Sequence, residues 1–597
     1  MFLERLPALP STLSDFRPAP PANDRHAWAA LPERVRTRLL ARGEETLAAE
    51  WPTLPATAYL RYSRSGDRVH FEERYFARRR LLNAIVLAEC VEGRGRFMDA
   101  IVDGSLALCE ESGWQLPAHN AYRRGGGRLP LPDTSAPVVD LFAAETAAQL
   151  GVVAALMERE LDAVSPEIVR RIDRELRMRV IEPYLTRHFW WMGRGDERMN
   201  NWTAWCTQNV LTAVFARQTD QVTRRAVIEK AAGSLDAFLK GYGEDGACEE
   251  GALYYHHAGL CLFNALAILD AVAPGAFAPL WREAKLRNIA EYIVNAHVAD
   301  VHYFNFADCS AVVERCGARE YLFGLAVGSD ALTDFAAADW AEQEAPDLPE
   351  EVNLLHRLQA AFIASALAGR KAAPPRKRDI YYPSVGLFIA RDSRYALAVK
   401  AGDNGDSHNH NDVGSFILYK DGRPFVIDVG VGSYTARTFS PERYDIWTMQ
   451  SAFHNLPTFA GVMQQDGERF AARDVDVAFG ADEARIAMEL AGAYPPQAEL
   501  RSYRRSVRLL KGRAVQVEDL HDGDRAAELS LMLCVRPALS AQQIRVDGLG
   551  EISLTGNGAL RLDEIAIDDA RLRAAWPDRL YRVLVPLAGP RLTLTIT

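Results

Sequence analysis

No uninterrupted apolar run in this 597-residue chain approaches the roughly 20 residues a membrane-spanning helix needs, so no such helix and no membrane partner are expected. The first residues, Met1-Phe2-Leu3-Glu4-Arg5-Leu6-Pro7, lack a basic segment followed by an apolar core. They do not read as a secretory signal, and a cytoplasmic location is expected. Cysteine is sparse and scattered: Cys90, Cys109, Cys206, Cys248, Cys261, Cys309, Cys316 and Cys534, with no C-x-x-C pair. Most lie in apolar, helix-like context and read as buried reduced thiols. An excess of positive charge is also missing. The net charge of -10 argues against a nucleic-acid partner. It leaves room for a polyanionic sugar, because arginine clusters can face a cleft while the remaining surface is acidic. The sequence shows no internal repeat, and its oligomeric state is not readable.

Hydrophobic content of 48% and charged content of 25% are those of a globular protein, and 597 residues exceed one ordinary core, so two or three domains are expected. After a Pro-rich start, helix-like segments separated by Gly and Pro breaks continue to about residue 368. Examples are Phe76–Ala88, Val138–Leu161, Trp202–Phe215 and Val352–Leu367. Successive helix pairs of similar length predict a toroid of helical hairpins. The composition then breaks at Gly369-Arg370-Lys371-Ala372-Ala373-Pro374-Pro375-Arg376-Lys377-Arg378. Beyond it come short alternating runs with turn signals: Val385–Ala390, Tyr395–Lys400, Phe416–Tyr419, Phe425–Ile427, Arg505–Leu510, Val515–Asp519 and Leu529–Val535. They predict an antiparallel β-sandwich. The expected organisation is multidomain α+β: a helical (α/α) toroid over 1–373, a linker at 374–378, and a β-sandwich domain over 379–597.

The richest chemistry lies in Asp406-Ser407-His408-Asn409-His410-Asn411-Asp412-Val413-Gly414-Ser415-Phe416. A Gly turn and a second apolar strand ending in Asp428 follow, and Ser451-Ala452-Phe453-His454-Asn455 adds a third histidine. On extended backbone, residues i and i+2 face one side, so His408 and His410 are expected to look into one cavity. Two imidazoles and a carboxylate suit zinc or a similar divalent ion, with one histidine left for proton transfer. The ordered pattern of His-x-His-Asn-Asp-x-Gly-x-Phe, Gly turn, strand ending in Asp and later His-Asn resembles the C-terminal domain of the heparinase II/III family of polysaccharide lyases. That resemblance implies a helical toroid followed by a β-sandwich over nearly the whole chain.

Three stretches of the helical region carry the rest. In Met199-Asn200-Asn201-Trp202 an Asn opens a helix, ordinarily a cap. The resemblance instead implies that Asn201 holds a uronate carboxylate, with Trp202 where some relatives place a histidine. In Glu249-Glu250-Gly251-Ala252-Leu253-Tyr254-Tyr255-His256-His257 the family pattern Glu-Gly-x-x-Tyr falls on Tyr254, with Tyr255 the competing position and His256 a further contact. Glu111-Ser112-Gly113-Trp114-Gln115-Leu116-Pro117-Ala118-His119-Asn120 resembles the family's sugar-lining loop, making Trp114, His119 and Asn120 candidate contacts, although a Trp in a helical protein is commonly core. Among Arg78, Arg79 and Arg80, Arg79 is the candidate cleft residue. Asn305-Phe306-Ala307-Asp308 resembles another family segment of undefined role.

The chemistry the resemblance implies is β-elimination at a uronic acid within an acidic poly- or oligosaccharide. Glycosaminoglycans are favoured, and alginate is the second substrate. Asn201 neutralises the carboxylate through hydrogen bonds. Tyr254 and His408 divide the roles of base at C5 and acid at O4, in an order that depends on the C5 epimer. His410, Asp428 and His454 are the candidate ligands of one divalent metal, zinc first and manganese second, in a mainly structural role that holds His408. Two other readings compete: a glycoside hydrolase using residues such as Glu249 and Glu250, and an inactive glycan-binding protein.

Overall fold

The computed structural model describes residues 1–123, 126–194, 197, 199–373, 377–435 and 437–597. The chain forms two compact units, one of Met1–Gly241, His257–Ala290 and Arg315–Pro374, the other of Tyr242–His256, Glu291–Glu314 and Pro375–Thr597. Two stretches from the helical half, Tyr242–His256 and Glu291–Glu314, therefore join the unit that carries the β-strands. Pro374, Pro375 and Arg376 of the expected linker lie outside the described residues.

The first unit is helical. Its principal helices are α1 (Glu33–Leu47), α2 (Val69–Glu92), α3 (Met98–Cys109), α4 (Leu141–Val164), α5 (Pro166–Leu176), α6 (Asn201–Phe215), α7 (Gln221–Gly241), α8 (Gly259–Val272), α9 (Ala318–Val327), α10 (Asp330–Ala341) and α11 (Leu354–Gly369). Local chemistry sets their ends. Asp140 caps α4 by accepting from the Ala143 amide, and Ser165 followed by Pro166 opens α5. On α5, Ile168, Val169, Ile172 and Leu176 line one buried stripe while the arginines face outward. Contacts run from α4 to α6, α6 to α8, α8 to α9, α9 to α11 and α11 back to α4. This closes a ring of inner helices, with α5, α7 and α10 packed outside their neighbours as the toroid of hairpins requires. Leu141–Val164 and Ala252–Val272 are each long and apolar enough to cross a membrane, contrary to the reading of the bare sequence. Both are mostly buried within the protein, which accounts for their composition without a bilayer.

The second unit is built on antiparallel sheets. Strands β1 (Ile380–Tyr382), β2 (Leu387–Arg391), β3 (Tyr395–Lys400), β4 (Phe416–Lys420) and β5 (Arg423–Val426) form a meander in chain order. They are followed by β6 (Pro457–Phe459), β7 (Arg473–Phe479), β8 (Glu483–Glu489), β9 (Leu500–Leu510), β10 (Ala514–Gly523), β11 (Ala527–Leu533), β12 (Pro537–Leu539), β13 (Gln543–Val546), β14 (Gly550–Thr555), β15 (Arg561–Ala566), β16 (Arg579–Pro586) and β17 (Arg591–Ile596). One large sheet has the order β7-β8-β9-β10-β17-β14-β13-β12, and a smaller one β15-β16-β11-β6. Alternation along β8 turns Ala484, Ile486 and Met488 inward, where they share one core with Leu397, Val399, Phe416 and Leu418 of the meander. That shared core makes the unit a sandwich. All eight cysteines are free, and all but Cys534 are buried.

Candidate active site

The sandwich unit gathers its reactive side chains on loops pinned by two buried polar residues. Asn455 donates to the carbonyls of Phe416 (2.7 Å) and Ile427 (2.9 Å) and accepts from the Met532 amide (2.8 Å), joining the start of β4, the residue after β5 and the end of β11. Arg505 on β9 is fully buried. It pairs with Asp519, its cross-strand partner on β10, through two bonds of 2.7 and 2.8 Å. It also donates to the carbonyls of Gly414 (2.8 Å) and Asn455 (2.6 Å). The loops bearing His410 and His454 thus hang from the sandwich itself.

His408 lies in a turn with φ +58°, so the segment is not the extended strand expected from its spacing. The imidazoles of His408 and His410 nevertheless converge, because one buried carboxylate draws both. Asp308 meets His408 Nδ1 at 2.8 Å through Oδ2 and His410 Nε2 at 3.1 Å through Oδ1. Arg443 donates to the same Oδ1 at 2.6 Å, and the Tyr434 hydroxyl to Oδ2 at 3.2 Å. Burial opposes ionisation of Asp308, but these hydrogen bonds and charges outweigh it and hold the carboxyl well below its ordinary range. His408 Nε2 lies 3.1 Å from Glu250 Oε2. Burial disfavours its charged ring, yet the two carboxylates win and raise it to about 9.

Tyr254 stands on the short helix Ala252–Tyr255, after Gly251 at φ +85°, where a Cβ would come within 2.8 Å of the Cys309 side chain. Its ring centroid is 4.7 Å from that of His408, and its hydroxyl is hydrogen-bonded to the hydroxyl of Tyr434. The Arg571 guanidinium sits 4.4 Å over the Tyr434 ring. Burial pushes the Tyr254 phenol upward, while the Tyr434 hydrogen bond and Arg571 act the other way.

His410, Asp428 and His454 present ligand atoms within 4.8 Å of one another, all buried. Asp428 accepts from His454 Nδ1 at 2.6 Å and from the Gly430 amide at 2.9 Å. Gly430 is required there: its φ is +75°, and a Cβ would meet the Cys309 carbonyl at 2.6 Å. Among the described residues, His410 Nδ1 and His454 Nε2 are buried with no hydrogen-bond partner. Two imidazole nitrogens and a carboxylate so placed could hold a metal ion.

Residues 374–573 match the family model described as Heparinase II/III-like, C-terminal. They form a heparinase II/III-like C-terminal domain. Among solved structures, the chain resembles Heparinase III (TM-score 0.61, 13% identity, 96% of this chain and 93% of that one). It also resembles the heparan sulfate lyase HepC from Pedobacter heparinus (TM-score 0.56, 14% identity, 96% and 90%). A third likeness is to a mutant of the Streptomyces coelicolor A3 chondroitin AC lyase (TM-score 0.53, 14% identity, 97% and 83%). At such identities the likeness is one of fold. No curated protein matches the chain.

The heparinase-like domain, with the two stretches that join it, gathers Tyr254, His408, His410, Asp428 and His454. It adds Asp308, Tyr434, Arg443 and Arg571, which the sequence did not place in the site, and Glu250, which the sequence offered only for the competing hydrolase reading. The Asn305–Asp308 run was the one signal that pointed to Asp308. Tyr255 is fully buried beside Tyr292, with ring centroids 6.4 Å apart, so it presents no sugar-facing ring, and His256 is buried as well.

In the helical unit, the cap of α6 is Asn200, whose side chain accepts from the Trp202 amide at 3.1 Å. Asn201, in the first turn, is buried and is not the cap. Trp202 and His119 are partly exposed and meet at 4.6 Å, with His119 Nδ1 held 2.8 Å from Asp140. Three expected contacts are corrected by burial. Arg79 is fully buried and paired with Glu111 at 2.7 Å, having no charge to spare for a ligand. Trp114 is 1% exposed and its indole donates to the Leu108 carbonyl, so no ring face is open. The Asn120 amide is occupied by the carbonyls of Leu129 and Leu131 and shapes its loop.

Proposed function

We propose that this protein is a polysaccharide lyase that cleaves uronic-acid-containing glycans by β-elimination, glycosaminoglycans first and alginate second. The observation that carries the reading is the Tyr254–His408 pair, ring to ring at 4.7 Å and flanked by Asp308 and Glu250. Neighbours of the same fold that are heparan sulfate and chondroitin AC lyases support it. In the reaction a base removes the C5 proton, the electron pair forms the C4–C5 double bond, and the C4–O4 bond breaks. An acid then supplies the proton taken up by O4. Asn201 is assigned the uronate carboxylate, whose charge grows in the enolate-like state, and a neutral amide suits that task. Tyr254 and His408 move the two protons. Partly exposed Trp202 and His119 are assigned to the sugar.

The buried nitrogens of His410 and His454, without a hydrogen-bond partner among the described residues and beside Asp428, fit a divalent ion, zinc first and manganese second. Such an ion would tie the loop after β5 to those bearing His410 and His454. These residues hold His408 in place and take no proton from substrate. The test is product analysis on a panel of heparan-type, chondroitin-type, hyaluronan and alginate substrates. An ultraviolet-absorbing unsaturated uronate is expected without nucleotide or redox cofactor. A saturated product carrying solvent oxygen would refute the lyase reading.

A further inference from the structure

The single carboxylate of Asp308 serves two groups that the sequence keeps apart. Its Oδ1 receives His410 Nε2 and Arg443, on the side of the His410–Asp428–His454 cluster. Its Oδ2 receives His408 Nδ1 and the Tyr434 hydroxyl, which is itself bonded to the Tyr254 hydroxyl. Asp308 is fully buried, and Arg571 also fixes its backbone carbonyl at 3.2 Å. Because an ionised carboxylate only accepts, both histidines must present N–H groups to it. That choice leaves the His410 Nδ1 lone pair aimed at the cluster and His408 Nε2 facing Glu250. It also tethers His408, whose left-handed backbone needs an external restraint.

We propose that Asp308 is a positioning residue that couples the His410–Asp428–His454 cluster to the proton-transfer pair, by setting the tautomer of His410, holding the His408 ring through its Nδ1–H and setting the direction of the Tyr434 hydroxyl. The turnover part of this proposal rests on the lyase reading. Asp308→Asn keeps the shape but replaces one acceptor oxygen with an NH2 donor that faces other donors, so one arm of the network must turn away. With the glycan that wild type cleaves best, kcat should fall about 100-fold or more, in line with a lost proton-transfer geometry, while KM moves less than about threefold. Zinc affinity, read by competition with a chelator, should weaken about 10- to 100-fold, the usual effect of losing an outer partner of a metal-ligating histidine. Tyr434→Phe should lower kcat with zinc affinity unchanged. Combined with Asp308→Asn it should add little further loss, because both act through one unit.

Protein labelled with 15N-histidine supplies a readout independent of turnover. Zinc addition should shift the His408 imidazole N–H signal in wild type and leave it unmoved in Asp308→Asn. An Asp308→Asn kcat within threefold of wild type, or unchanged zinc affinity alongside lost turnover, overturns the coupling. An unaltered kcat in Tyr434→Phe overturns the Oδ2 arm even if Asp308→Asn does not fold. If wild type cleaves no uronate glycan, the lyase reading fails, and the zinc-dependent His408 signal still decides whether Asp308 links the two groups.

Discussion

Replacing Arg505 with Met should test whether the site loops depend on the sandwich for their placement. The stem survives, but the guanidinium and its bonds to Asp519 and to the carbonyls of Gly414 and Asn455 are lost. Asp519, 1% exposed, would keep the Tyr503 hydroxyl at 3.1 Å as a side-chain partner. A stranded buried charge is relieved by taking up a proton. For an ordinary carboxyl at pH 7 that costs about 4 kcal/mol, roughly 3.1 units at 1.36 kcal/mol each, which caps the charge penalty. Two buried carbonyls without donors add about 1 kcal/mol each or slightly more, for a total of roughly 5–7 kcal/mol. The protonated variant binds one more proton folded than unfolded, so its stability falls as pH rises. Its deficit should therefore shrink by about 1.4 kcal/mol per unit from pH 7 to pH 5. Hydrogen exchange of peptides covering β9 and β10 in the full chain reads the opening free energy directly. Arg505→Met combined with Asp519→Leu removes the charge and should regain about 4 kcal/mol. A single-variant deficit below about 1 kcal/mol, or one that ignores pH, would refute the reasoning.

Tyr254→Phe should abolish turnover, with oligosaccharide binding retained and stability changed by about 1 kcal/mol for one lost hydrogen bond, whereas Tyr255→Phe should remain active; the reverse outcome in steady-state assays would shift the motif by one residue. His408→Ala should lower kcat by about two to four orders of magnitude with metal content retained, the scale of a lost acid–base group. His410→Ala should lose metal and melting temperature together, because a ligand bound only by the native state stabilises it. Metal analysis and thermal melts on the two variants separate these roles. Arg79→Met should lower stability by about 1.5–3 kcal/mol through its lost bonds to Glu111, which keeps Arg78 at 3.0 Å, and leave KM unchanged; a rise in KM without loss of stability would return Arg79 to the substrate.

Patterns repeated along the chain were enough to determine the architecture. The 3.6-residue spacing of apolar positions and the Gly and Pro breaks marked the helices, and alternation marked β2 through β5 and β9 to β11. Strands β1, β6 to β8 and β12 to β17 went unread: the exposed edge strand β7 and the three-residue β12 leave little alternation to detect, whereas β8 and β17 do alternate and were missed all the same. The trio His410, Asp428 and His454 was legible because its members come from three short stretches of one β region. Tertiary structure alone decided the rest. Asp308 precedes His408 by 100 residues and reaches it only because Glu291–Glu314 folds with the sandwich unit. Tyr434, Arg443 and Arg571 carry no local pattern that separates them from ordinary surface residues. Burial was equally invisible: Arg79 and Arg80 are neighbours in sequence, yet one is sealed against Glu111 and the other faces solvent beside Glu350. A side chain's partners depend on which distant segments pack against it, and no spacing rule along one chain encodes that distance.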